Sequence, residues 1–187
     1  MRLDQASAPA PRGRVNRRVG ALIGALALAG CVETAGDIVP GADHQQFARR
    51  ADASMGAATV AIMSVEGPPA ELRAEFSQRL DQAVAAEQIA IAPPTSAHYL
   101  VRGYLSASPV EGGGAIDVVW DVFTPDKKRA QRLSDTLLVR GSGDDPWAMV
   151  SATALDSIAA KCADDLAAYL SNTPEAAPGG AALSYAQ

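Results

Sequence analysis

Paired acids are the residues in this chain whose type and spacing come closest to chemistry: Asp117 with Asp121, Asp144 with Asp145, and Asp164 with Asp165. Two carboxylates on one surface can divide acid and base roles or hold a hard cation. Asp117 and Asp121 fall on one face of an alternating segment, but no histidine, glycine-rich loop or third ligand accompanies them, so a solvated strand face accounts for them. Asp144 and Asp145 precede Pro146, and capping of a helix start explains that pair. Neither His44 nor His98 has a cysteine or histidine at metal-ligand spacing. Gly112, Gly113 and Gly114 lack a following lysine and helix start, which makes them a hairpin loop rather than a phosphate cradle. Cys162 lies on an apolar helical stripe, the place of a packed thiol rather than a redox centre. The sequence therefore assigns no catalytic residue, no metal site and no cofactor, and the chain is expected not to be an enzyme.

The other cysteine, Cys31, has a more specific setting. Arg12, Arg14, Arg17 and Arg18 form a cationic patch, and the apolar run from Val19 to Ala29, about eleven residues, follows. That run is too short to cross a bilayer core of roughly 30 Å, which takes about twenty residues, and it has the form of a signal-peptide core. It ends in Leu28-Ala29-Gly30-Cys31, which resembles the lipobox of bacterial lipoproteins. The resemblance implies cleavage between Gly30 and Cys31, a diacylglycerol thioether on Cys31, acylation of the new amino terminus, and a membrane partner held through that anchor. Lipoprotein sorting of this kind retains an aspartate-bearing protein at the inner membrane. Val32 and Glu33 follow here, so the expected place is the outer membrane, facing the periplasm.

Loss of residues 1–30 leaves eleven basic and twenty acidic side chains, a side-chain charge of −9 in place of the −5 of the full chain. Such a balance favours solubility and disfavours nucleic acid as a partner. The predicted organisation is a signal peptide at 1–30, an acylated cysteine and flexible tether at 31–56 with a short helix near His44 to Arg50, a domain at 57–170, and a disordered tail at 171–187.

Within the domain the pattern of apolar residues predicts an α+β fold in the order β-α-β-β-β-β-α. A mixed or antiparallel sheet of about five strands carries two helices on one face. The strands are 57–65, 89–92, 97–107, 116–123 and 129–140. Leu72, Phe76, Leu80 and Val84 mark a helix over 70–87, and a second helix begins at Asp145-Pro146 and runs to about Leu170. Ile116, Val118, Trp120 and Val122 share the core face. The opposite face carries Arg102, Tyr104, Asp117, Val119, Asp121, Phe123, Arg132 and Arg140, a mixture of arginine, aromatic and acid that fits an interface. Trp147, in the first turn of the last helix, is a further candidate anchor.

The order of these elements, with the phrase Ala97-His98-Tyr99-Leu100-Val101-Arg102-Gly103 leading into a glycine turn and a long hairpin, resembles a group of periplasmic domains. The group includes the amino-terminal domain of the Tol-Pal propeller protein, the lipoprotein activators of penicillin-binding proteins and the periplasmic part of the curli secretion lipoprotein. The resemblance implies a non-enzymatic docking or assembly role with an envelope protein partner. The alternation and the composition of the open face, not the resemblance, point to Arg102, Tyr104, Asp117, Asp121, Phe123 and Arg132, with Trp147, as the residues that meet it. Two other classes remain open from sequence: an auxiliary transport lipoprotein with an apolar pocket between helices and sheet, and an envelope polymer hydrolase working through Asp117 and Asp121.

Overall fold

Strict alternation over long stretches produces the frame of the molecule, a computed structural model that describes residues 38–40 and 46–178. Three strands, β3 (Tyr99–Val110), β4 (Gly113–Phe123) and β5 (Arg129–Arg140), form an antiparallel meander. β2 (Val60–Glu66) joins β3 in parallel through the crossover helix α1 (Ala70–Ala86). A three-residue strand, β1 (Ile38–Pro40), pairs with the free edge of β5, giving the order β1-β5-β4-β3-β2. After β5 a single turn of 3-10 helix (Pro146–Met149) leads to α2 (Ala152–Leu170). The fold is thus α+β, a mixed sheet of four long strands and one short one, with both helices on the same face.

The turns explain the register. Glu111 and Gly112 join β3 to β4, and Gly112 takes the left-handed conformation (φ +79°) that such a tight reversal demands. At the other end Thr124 bonds both ways across its loop, its N–H donating to Lys128 O (2.9 Å) and its carbonyl accepting from Lys127 N (2.8 Å). Those two turns place Asp121 directly between Arg102 and Arg132.

The core is closed by Phe76, Leu80 and Val84 from α1 and Leu155, Ile158, Cys162 and Leu166 from α2, against Val101, Ile116, Val118, Trp120 and Val122 of the sheet. Each large side chain so buried contributes about 1.5–3 kcal/mol relative to exposure. Trp120 fits because its cross-strand neighbour is Gly103: a Cβ there would lie 2.4 Å from the indole. The indole N–H is buried without a well-aligned hydrogen-bond partner among the described residues, although it is close enough to act on the thiol of Cys162. One charged group also faces the helices: Asp135, whose carboxylate takes Lys161 Nζ of α2 at 2.8 Å while Lys161 also reaches Asp165 at 2.6 Å.

Several sequence expectations are corrected. Ile89–Ala92 is not a strand; it touches the sheet by one parallel bridge, Val60 to Ile91, with Val60 N donating to Ala90 O and Ala92 N to Val60 O. Gln88 in the left-handed region (φ 59°) and Pro93-Pro94 on the other side leave no length for more. The fifth strand comes instead from the segment read as tether, at Ile38–Pro40, and the described part of its remainder is packed: Met55 is buried, and Phe47 stacks edge-on against Tyr169 at 5.5 Å. Residues 46–50 form no helix. The last helix is not continuous from Asp145. Asp145 caps only the 3-10 turn, accepting from Trp147 N (3.0 Å), and Ser151 starts α2 anew, accepting from Ala154 N (3.1 Å). The start of the tail, 171–178, is ordered by buried Ser171, Thr173 and Ala176 and by Tyr99 Oη donating to Glu175 (2.8 Å). The segment expected to be a signal peptide, 1–30, with Cys31, His44 and residues 179–187, lies outside the described residues.

Candidate functional site: the uncovered face of the sheet

Because side chains alternate along a strand, the face that turns away from the helices is fixed once Trp120 is placed in the core. Among the described residues no element covers it. β3 contributes Leu100, Arg102, Tyr104 and Ser106, β4 contributes Asp117, Val119, Asp121 and Phe123, and β5 contributes Arg132, Ser134 and Thr136. Six of the seven residues expected to meet a partner are brought together here. Trp147 is not among them: it sits half-buried against the core, in the turn whose Pro146 packs on Gly114 from the helix side.

The two acids of this face behave differently from a catalytic pair. Asp121 is buried, 5 % exposed, because Arg132 encloses it: Nε donates to Oδ1 and Nη2 to Oδ2, both at 2.7 Å, and Arg129 stands 3.8 Å away. The hydrogen bonds from Arg132 hold the Asp121 carboxyl below the usual carboxylate range, against the opposing effect of burial. Asp117 accepts from Thr136 Oγ1 at 2.7 Å. Four residues apart on one strand, the backbone positions of Asp117 and Asp121 are separated by about 13 Å at ~3.3 Å per residue. The acid pairs of glycosidases stand about 5–9.5 Å apart. Asp117 and Asp121 are structural members of a cross-strand ladder, and no group of three histidine, cysteine or acidic residues gathers anywhere among the described residues to hold a metal ion.

Two hollows mark the face. One, of about 360 Å³, is lined by Met63, Leu100, Arg102, Phe123 and Lys127. Its floor is apolar, and the Arg102 guanidinium lies over the Phe123 ring, 6.0 Å from the centroid. The second, broader, lies over Asp117, Val119, Ser134 and Thr136, with Gln46, Val118 and Asp135 also on its wall. Met63 and Lys127 escaped the sequence reading. Met63 is the extra residue of a bulge in β2, between Ile62 and Ser64, which leaves it 42 % exposed. Lys127 is brought up by a turn in which it holds a left-handed conformation, φ 63°. The exposed run Lys127-Lys128-Arg129 was visible as a charge cluster, but its position beside Arg102 depends on the register.

The thiol of Cys162 is remote from this surface. Burial pushes its pKa up to about 12, only partly offset by the Trp120 N–H. That is the state of an inert core thiol.

No protein-family model matches the chain, and no curated protein sequence matches it. Its fold is similar to solved structures of PelC dodecamers from Paraburkholderia phytofirmans. One, of a single-substitution variant, has a TM-score of 0.43 at 13% identity, covering 73% of this chain and 98% of that one. The other has a TM-score of 0.42 at 13% identity, with coverages of 75% and 98%. A further structural neighbour is a lipoprotein, GNA1162 of Neisseria meningitidis, with a TM-score of 0.35 at 9% identity over 55% of this chain and 96% of that one.

Proposed function

We propose that this chain is an outer-membrane-anchored periplasmic lipoprotein that docks an envelope protein through the uncovered face of its sheet and catalyses no reaction itself. The amino-terminal sequence supports the anchor, through the arginine patch, the short apolar run and Leu28-Ala29-Gly30-Cys31. The observation that carries the docking is the one-sidedness of the sheet. Both helices lie on one face, while the other presents Tyr104, Val119 and Phe123 among paired charges. An apolar and aromatic centre ringed by arginines is the composition of a binding surface.

The transport reading called for an apolar pocket between helices and sheet; the apolar pocket described here lies on the opposite face, and the helix–sheet interface is filled by Trp120, Cys162 and their neighbours. The hydrolase reading loses the paired geometry it required of Asp117 and Asp121.

In-cell cross-linking and affinity purification test the proposal, comparing the native chain with an exported Cys31→Ser chain and with a Tyr104→Ala, Phe123→Ala variant. Arg132 is left in place because it neutralises Asp121. One envelope complex should be recovered from the native chain and lost from both variants. Equal recovery from all three would contradict both the anchor requirement and the face.

A further inference from the structure

Five of the eleven cations of residues 31–187 gather at one end of the sheet: Arg102, Lys127, Lys128, Arg129 and Arg132. Two acids stand among them. Asp121 is taken by Arg132, with Arg129 3.8 Å away, and Asp126 is taken by Lys128 at 2.7 Å. Arg102 and Lys127 have no carboxylate partner among the described residues, and both line the pocket with Met63, Leu100 and Phe123. Arg102 faces Asp121 in the ladder, but that carboxylate is already committed. The result is two unneutralised cations over an apolar floor, on a protein that is otherwise strongly acidic.

From this we infer that the pocket receives an acidic segment of the partner protein: an apolar side chain seated on Met63, Leu100 and Phe123, flanked by carboxylates that pair with Arg102 and Lys127. The inference rests on the docking reading and names the chemistry of the partner. Charge complementarity selects an anion, because a neutral or basic segment would leave both cations facing a filled pocket. Size and continuity select a polypeptide. A hollow of about 360 Å³ takes one or two side chains, and it opens directly onto the extended face of Tyr104, Val119 and Asp121 rather than ending as a closed cavity. A bilayer is the competing source of anions, and the probe at Met63 separates the two, because a lipid adduct and a peptide adduct differ in mass.

Photo-cross-linking in the native cells tests this with the full-length anchored chain carrying p-benzoylphenylalanine in place of Met63. A second chain carries the probe at Ser106, exposed on the same face about 13 Å along β3 from Arg102. The expected result is a Met63 adduct that tandem mass spectrometry maps to a partner segment with at least two carboxylates beside an apolar side chain. Adding Arg102→Gln and Lys127→Gln, both at exposed positions, should cut its yield severalfold while circular dichroism stays unchanged. An adduct to a segment without carboxylates, to a second copy of this chain, or to lipid or glycan overturns the inference, as does a yield indifferent to the loss of both charges. A silent Met63 probe with a productive Ser106 probe overturns the inference and leaves docking intact. Silence of both overturns docking itself.

Discussion

Arg132 holds both carboxylate oxygens of Asp121 at 2.7 Å across the β4–β5 ladder, and in doing so turns the most buried acid of the uncovered face into a fixed structural element. A planar guanidinium matched to a carboxylate in this way adds geometric specificity as well as attraction. The pair keeps the register in which Arg102, Asp121 and Arg132 form one row, and so it positions the surface proposed to meet a partner.

Removing Arg132 strands a buried carboxylate with only Arg129 near it. Arg132→Ala should lower stability, and by more than Asp121→Asn, which leaves unpaired only a guanidinium that water can reach. Asp121 has a lower pKa folded than unfolded, so its contribution is complete above an unfolded value of about 4 and drains away as pH falls through the depressed folded one. Urea unfolding from pH 7 to pH 2 should show that acid-side loss in the native chain and a smaller one in Asp121→Asn. Identical pH profiles would contradict it.

The close approach of Trp120 to Gly103 makes a second test. Gly103→Ala places a methyl group 2.4 Å from the ring, so the indole must move, at a cost of about 1–3 kcal/mol. The melting temperature should fall and the near-ultraviolet circular dichroism of tryptophan should change together. A stable variant with an unchanged tryptophan signal would contradict the packing.

Cys162 is the one thiol left in a Cys31→Ser chain. With its pKa pushed up to about 12 by burial, a thiol-specific reagent at pH 8 should label it at least about a hundredfold more slowly in the folded chain than in urea. Rapid labelling of the folded chain would mean that α2 opens readily or is packed differently.

Lys161 neutralises Asp135 and Asp165 where α2 meets β5. Burial works against its charge, but its hydrogen bonds to the two acids outweigh burial and raise its pKa; Asp165, whose burial outweighs its bond to Lys161, is shifted up as well. Lys161→Met should cost about 1–3 kcal/mol at pH 7. The deficit should narrow as pH falls into the acid range, because Asp165, already shifted up by burial and then without the bond from Lys161, takes up a proton there. A deficit that is constant with pH would assign the loss to packing alone.

Much of this arrangement was legible in the sequence because long strands and amphipathic helices repeat their signal many times. Ile116, Val118, Trp120 and Val122 keep an apolar residue at every second position, and Arg129–Arg140 has in the structure the bounds its pattern suggested. What was not legible depends on partners far away in sequence. Three residues of β1 carry no periodicity and are strand only because β5 has a free edge beside them. Ser151 fell inside the single helix expected from Asp145-Pro146 to about Leu170, yet its hydroxyl caps a new helix after the turn at Pro146–Met149. On the candidate site, alternation sent Arg102, Tyr104, Asp117, Asp121, Phe123 and Arg132 to one face, but only the register set by Thr124 to Lys128 shows that Asp121 is occupied and that Arg102 and Lys127 are not. Met63 reached the pocket through a bulge that leaves no mark in composition.

Docking through the uncovered face is tested most directly by hydroxyl-radical footprinting of the native chain in its own cells against the purified Cys31→Ser chain. Oxidation of Met63, Tyr104 and Phe123 should fall severalfold in the cell, while Ile91, exposed beside the far edge of β2, and Tyr169 on the helix side keep the rates of the purified protein. Equal oxidation of Met63, Tyr104 and Phe123 in both settings, or protection confined to the helix side, would contradict the account.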